Sequence, residues 1–368
     1  MKNIFFLFMF AIIFASCNND NIRVAGVVEN GCLSDGDSVY LMQPDGNNVA
    51  KIKGRAVVRN GHFKITGNTS LPAFCNVVVF TPSGTLARKV DFIAEGGEVS
   101  VRLLPEYYRV AGTPLNDVLQ SYRDSMEVAS RIYKRYYSKK AETPTLSEMG
   151  VKEADDVMAI ASFQYRTVLY RAIESNIGNI LAPYFIKNNI DIIEPSRGLQ
   201  FIEKLPAEYK DGVIAYINGL FSAQAKYAPG HRYGDFTMLD IDGCEHTLSS
   251  YAGKGKPVVI SVWVSGDKKS MASQKTLSAL GEQYGNEVQF FGISIDMNSK
   301  VWRSSVMENS MCGKQLCDLK GWNSAFLSLY GIDKIPYFIL IDGDGNISYR
   351  GISISDLSAS LHAIAKKH

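Results

Sequence analysis

The sequence predicts a multidomain chain of three successive parts: an N-terminal all-β sandwich or barrel, a central α-helical segment and a C-terminal α/β layer. Three observations carry this reading. Short apolar runs separated by turn residues fill 22–112, an apolar spacing of three and four governs 113–228, and strands alternate with helices over 229–368. The length of 368 residues suits two or three domains at about 150 residues each. With 46% hydrophobic and 21% charged residues the chain is an ordinary globular one. Its 39 basic and 37 acidic residues leave a net charge of +2, which supplies none of the cationic surplus that phosphate backbones demand, so no nucleic-acid partner is expected. Six cysteines are too few for a disulfide scaffold. His62, His231, His246, His362 and His368 are scattered without ligand spacing, so neither a metal nor a cofactor is implied.

The first element is a targeting segment. Residues 1–17 read MKNIFFLFMFAIIFASC, with Lys2 ahead of the apolar run Ile4 to Ala15. A helix of that length spans about 18 Å, short of the roughly 30 Å hydrocarbon core, so a signal peptide over 1–16 fits better than a membrane span. Ala15-Ser16-Cys17 resembles the lipobox of bacterial lipoproteins, although Phe14 stands where an aliphatic residue is usual. The resemblance implies lipidation of Cys17, residues 17–21 as a tether, and a membrane anchor in the cell envelope. Asn18-Asn19-Asp20 is too weakly acidic to read as a surface-export tag, which favours the periplasmic side.

Seven short strands are expected over 22–112, at 22–28, 38–42, 57–58, 63–65, 76–80, 89–93 and 99–103, with turns at Asp35-Gly36, Pro44-Asp45-Gly46, Asn60-Gly61, Pro82-Ser83-Gly84 and Gly96-Gly97. Asn60-Gly61 is a hairpin signal because a type I′ turn needs positive φ. The layout Gly26, Asp35-Gly36-Asp37, Asn60-Gly61-His62-Phe63, Phe92 to Gly97 and Gly112 to Asn116 resembles the β-rich domain of unknown function that often precedes thioredoxin-like domains in bacterial lipoproteins. It brings no catalytic motif.

From Thr113 the period changes. Leu115, Leu119, Tyr122, Met126, Ala129, Tyr133 and Tyr136 mark one helix face, and a break follows at 143–146. A second helix is expected over 152–177, with shorter ones at 180–187, 197–205 and 207–226. In Tyr133-Lys134-Arg135-Tyr136-Tyr137 the tyrosines are read as a core face and the basic residues as solvated.

The last region begins after Tyr227-Ala228-Pro229-Gly230. Val258 to Trp263 and 288–295 read as buried strands, 270–285 and 299–309 as helices, and Ile335 to Asp342 as a further strand before the Asp344-Gly345-Asn346 turn and a terminal helix over 355–366. Asp235-Phe236, Asp242-Gly243, Leu248-Ser249, Gly253-Lys254, Val262-Trp263, Ile295-Asp296, Ile335-Pro336 and Ile341-Asp342 come in an order and spacing that resembles the TlpA/ResA-type thiol–disulfide oxidoreductases of the thioredoxin superfamily. The resemblance implies a thioredoxin-like fold over 229–368 and a cis proline at Pro336 facing the first helix.

One departure decides the chemistry. Where the family carries Cys-x-x-Cys after the strand, this chain reads Trp263-Val264-Ser265-Gly266-Asp267-Lys268-Lys269-Ser270. Asp267 falls at the nucleophilic cysteine and Ser270 at the resolving one. Disulfide exchange needs a thiolate, and neither a carboxylate nor a hydroxyl forms a mixed disulfide. Both residues suit a helix cap instead. The expected function is therefore an envelope lipoprotein with a degenerate, redox-inactive domain that holds extended polypeptide or a partner protein in a groove of Trp263, Lys268, Lys269, Ile335 and Pro336, with no catalytic residue. The alternative is a thiol–disulfide oxidoreductase or antioxidant protein working through Cys312 and Cys317, which flank Gly313-Lys314-Gln315-Leu316. With Cys17 lipidated, five thiols remain, so at least one stays free or pairs between chains.

Overall fold

The computed structural model describes residues 21–29, 31–44, 50–142 and 148–365. The segment 1–16 expected as a signal peptide, Cys17 with most of the expected tether, and the expected break at 143–146 lie outside the described residues. The chain divides into two compact units between Phe185 and Ile186.

The first unit carries eight strands: β1 (Asn21–Val28), β2 (Ser38–Pro44), β3 (Ala50–Val57), β4 (His62–Asn68), β5 (Ala73–Phe80), β6 (Leu86–Ala94), β7 (Glu98–Leu103) and β8 (Tyr108–Ala111). They form two four-stranded sheets, ordered β4-β1-β7-β8 and β3-β2-β5-β6. Alternating side chains of both sheets fill one core that includes Val24, Leu41, Phe63, Ile65, Val77, Phe92 and Val101. Asn60 and Gly61 take φ of 50° and 69°, the type I′ turn expected between the third and fourth strands.

One strand, β8, exceeds the seven expected, and the third, β3, runs over Ala50–Val57 where 57–58 was expected. β3 reads AKIKGRAV and buries none of its side chains fully, so it shows no apolar alternation; it is an edge strand held by its pairing with β2. β8 has only four residues and is held by β7.

Helices α1 (Pro114–Glu142) and α2 (Glu148–Ser175) follow. The buried Asn116 and Gln120 of α1 accept from the amides of Ile93 and Val110, each at 2.9 Å, which ties α1 to the ends of β6 and β8. Helix α3 (Leu181–Lys187) spans the division, and α4 (Pro195–Lys204) and α5 (Val213–Lys226) belong to the second unit. The single helix expected over 207–226 is split, because Gly212 takes a φ of 60° after a short turn of 3₁₀ helix at Ala207–Tyr209.

The second unit contains a small hairpin, β9 (Thr237–Leu239) and β10 (Glu245–Thr247), and then β11 (Val258–Trp263), α6 (Lys268–Tyr284), β12 (Gln289–Ser294), α7 (Ser299–Glu308), β13 (Lys314–Cys317), α8 (Ala325–Tyr330), β14 (Tyr337–Ile341), β15 (Ile347–Gly351) and α9 (Ile354–Ala365). The sheet order is β13-β12-β11-β14-β15, with β11, β12 and β13 parallel and β14 and β15 antiparallel, which is a thioredoxin-like layer. All six residues of β11 and all five of β14 are buried, as sheets covered on both faces require. One face packs Ile260, Val262, Ile293, Phe326 and Tyr330; the other packs Val259, Leu277, Leu280, Phe338 and Leu361 under α6 and α9. Residues 314–317, which separate Cys312 from Cys317 and end at the latter, form the edge strand β13, paired residue for residue with β12.

Candidate functional site

The candidate site lies where β11 and β12 end and β14 begins. Val262 pairs with Tyr337, so the turn after Trp263 and the Ile335-Pro336 segment stand at one edge of the sheet. Such edges, beyond the carboxyl ends of parallel strands, are where open α/β sheets place ligands. The Ile335-Pro336 peptide is cis, as the resemblance implied; Leu71-Pro72 is a second cis bond that was not anticipated.

Helix α6 starts at this edge with an orthodox cap. Asp267 adopts extended backbone (φ −94°, ψ 117°) and its Oδ2 accepts from the Ser270 amide at 2.6 Å, while its carbonyl accepts from Met271 at 3.0 Å. Ser270 is fully buried one turn inside the helix. Asp267 is thus the cap of α6, and Ser270 supplies the amide it satisfies.

The residues expected to line a groove differ in depth. Lys268 and Lys269 are exposed on the first turn of α6, Ile335 is half-buried, and Pro336 is buried. Trp263 is fully buried with Trp302 and Cys317, so it supports the edge from below and presents no surface.

Sequence reading passed over three features here. Asp296, buried after β12, accepts from Ser265 Oγ and Ser294 Oγ, each at 2.7 Å, and so ties the turn after β11 to the end of β12. Its signal was the Ile295-Asp296 pair. Exposed apolar side chains also gather at this edge: Met297 stands over Gly321, next to exposed Leu319 and Trp322. No periodic pattern marks them. Away from the edge, Asp240 binds His246 Nε2 at 2.7 Å and His246 Nδ1 meets Tyr251 Oη at 2.8 Å. Burial raises the Asp240 pKa, but the His246 bond and the amides of Cys244 and Asp242 outweigh it, leaving the carboxyl below its ordinary value.

Cys312 and Cys317 are not brought together. Gly313 lies against Phe290, whereas Cys317 pairs with Ser294 further along β12. Four strand steps amount to about 13 Å. A disulfide needs Cα atoms within about 7 Å. Cys312 Sγ sits over Gly281 in the C-terminal half of α6, while Cys317 packs with Trp263 and Trp302. Burial pushes the Cys312 thiol up, aided by Glu282, and burial pushes Cys317 up despite bonds from the Leu319 amide and Ser294. Cys75, deep in the first unit, is pushed up to about 12 by burial. Cys32, Cys75, Cys244, Cys312 and Cys317 are all free thiols, and only Cys244 is exposed. Among the described residues no three His, Cys, Asp or Glu side chains form a metal-binding group, and no helix is long and apolar enough to cross a membrane.

Residues 22–119 match the family described as Domain of unknown function (DUF4369). No curated protein matches the chain. Among solved structures, it is similar to the C-terminal domain of a proposed thiol-disulfide oxidoreductase from Bacteroides thetaiotaomicron, at 26% identity over 39% of this chain and 99% of that one, with a TM-score of 0.37. It is also similar to a thiol-disulfide oxidoreductase from Bacteroides fragilis NCTC 9343, at 22% identity over 36% of this chain and 98% of that one, with a TM-score of 0.34. The thioredoxin domain of such an enzyme from Bacteroides vulgatus matches at 23% identity over 37% of this chain and 96% of that one, with a TM-score of 0.34. The chain joins a DUF4369-like β domain to a C-terminal thioredoxin-like domain in which no two cysteines are spaced Cys-x-x-Cys.

Proposed function

We propose that this protein is an envelope lipoprotein, anchored through Cys17, whose TlpA/ResA-type thioredoxin-like domain has given up disulfide exchange and holds extended polypeptide at the Ile335-Pro336 edge. The observation that carries this reading is the Asp267 cap on α6: the helix N-terminus that would activate a thiolate is closed by a carboxylate bonded to the Ser270 amide. What remains at the edge is a backbone segment able to pair with a strand, a pair of exposed lysines, and the apolar side chains of Met297, Leu319 and Trp322. Strand addition of this kind draws affinity from main-chain hydrogen bonds and needs no thiol. The separation of Cys312 from Cys317 gives the relocated redox pair no support.

The test places a photo-reactive benzophenone at Lys268 of the full-length protein. Reduced, carboxymethylated α-lactalbumin should cross-link in preference to the folded, disulfide-intact form, and insulin should not be reduced. Equal labelling of both forms, or insulin reduction lost in Cys312→Ala/Cys317→Ala, overturns the reading.

A further inference from the structure

A cavity of 530 Å³ opens in the second unit beside the residues that lead into the Ile335-Pro336 segment. Its apolar walls include Ile193, Leu220, Pro229 and Ile352, and its charged lining includes Asp191, Asp333, Lys334 and Arg350.

The two cations are committed. The Arg350 guanidinium donates to Tyr337 Oη at 2.9 Å and to the carbonyls of Tyr227 at 3.0 Å and Tyr330 at 2.5 Å, with a longer contact to the Gln224 carbonyl. It works as a clamp between α5, α8 and β15. Lys334 Nζ is paired with Asp191. Neither cation is left to receive an anion.

Asp333 is the opposite case. It is half-buried, and its side chain has no hydrogen-bond donor among the described residues other than its own amide; the Lys334 charge acts on it only through space, from a side chain bonded to Asp191. An apolar group seated in this cavity would strip water from that carboxylate without replacing it, and an anionic group would be repelled. A cation on an aliphatic stem satisfies both the walls and the carboxylate. Asp333 lies two residues before Ile335, so a chain paired with that segment passes the mouth of the cavity.

We propose that this cavity receives a lysine or arginine side chain of the bound polypeptide, with the stem against Leu220, Ile193 and Ile352 and the cation paired with Asp333. The proposal rests on the polypeptide reading above and gives it a substrate class: extended segments carrying a basic residue at a set distance from the strand that pairs with the edge.

The experiment measures binding of fluorescein-labelled hexapeptide sublibraries to the full-length protein by anisotropy. One position holds Lys, Arg, norleucine or Glu and the others are randomised. The Lys and Arg sublibraries should bind roughly tenfold tighter than norleucine, the gain expected of a charge-assisted pair at a partly covered site. Asp333→Asn should abolish that gain and leave the norleucine affinity unchanged, while Asp333→Glu should keep it. Asp191→Asn offers an independent check: it releases Lys334 to neutralise Asp333, so the preference should fall although Asp333 is intact. Equal affinity for norleucine and Lys, or a preference that survives Asp333→Asn, overturns the cationic pocket while the polypeptide reading stands. If no sublibrary binds, the polypeptide reading itself fails, and the pocket with it.

Discussion

Asp267→Cys/Ser270→Cys should convert the capped edge into a working dithiol. Two effects oppose each other in this variant. Losing an N-cap carboxylate costs about 1 kcal/mol. In a protein unit of this size that lowers Tm by about 2–4 °C. Against this, a thiol at position 267 inherits the unpaired amides of the first turn of α6 and the charges of Lys268 and Lys269. Such surroundings bring a cysteine from about 8.5 into the range of roughly 3.5–7.5. The helix itself supplies the spacing, since position 267 is the cap and 270 lies one turn inside. The assay is the pH dependence of iodoacetamide labelling in a Cys244→Ser background, which removes the exposed native thiol, followed by insulin reduction. A labelling midpoint below pH 7.5, an intramolecular bridge and new insulin reduction are expected. A thiol that titrates at 8.5 or above and never bridges would refute the placement of α6 against the family pattern.

Three more predictions concern the remaining residues. Cys17→Ala should abolish lipidation and release the protein from the membrane fraction after a salt wash, read by detergent partitioning. The native full-length protein, denatured without reductant, should show five titratable thiols, and Cys312→Ala/Cys317→Ala should leave cross-linking of unfolded α-lactalbumin unchanged; a missing pair of thiols would revive the redox alternative. Asp240→Asn should destabilise the second unit in a pH-dependent way. A folded-state pKa below the ordinary value makes the carboxylate stabilising above the usual carboxylate range, with the gain lost as pH falls through the folded value. The gap in urea midpoint between wild type and variant should therefore be widest near pH 7 and close below about pH 4. A gap that does not change with pH would show that the His246 and amide contacts act without the charge.

The parts of this protein that were legible in its sequence are those encoded over short stretches of chain. The burial of β11 and β14 follows from continuous apolar runs. The Asn60-Gly61 turn follows from two residues that tolerate positive φ, and the α6 cap from an aspartate three residues before the amide it satisfies. Each is settled within a few residues, so a linear reading finds it. The absence of Cys-x-x-Cys belongs to the same class, because a thiol that is not in the sequence cannot be supplied by folding. What only the tertiary structure decided depends on neighbours distant in the chain. Edge strands β3, β8 and β13 are held by the strand beside them and carry little pattern of their own. Cys312 and Cys317 are close in sequence, but an extended strand between them sets them apart. Asp296 joins Ser294 of β12 to Ser265 in the turn after β11, and Asp333 has no hydrogen-bonded cation because Lys334 pairs with Asp191 and carbonyls hold Arg350. Hydrogen-bond and charge partners of this kind are chosen by packing between elements, and no spacing along the chain encodes them.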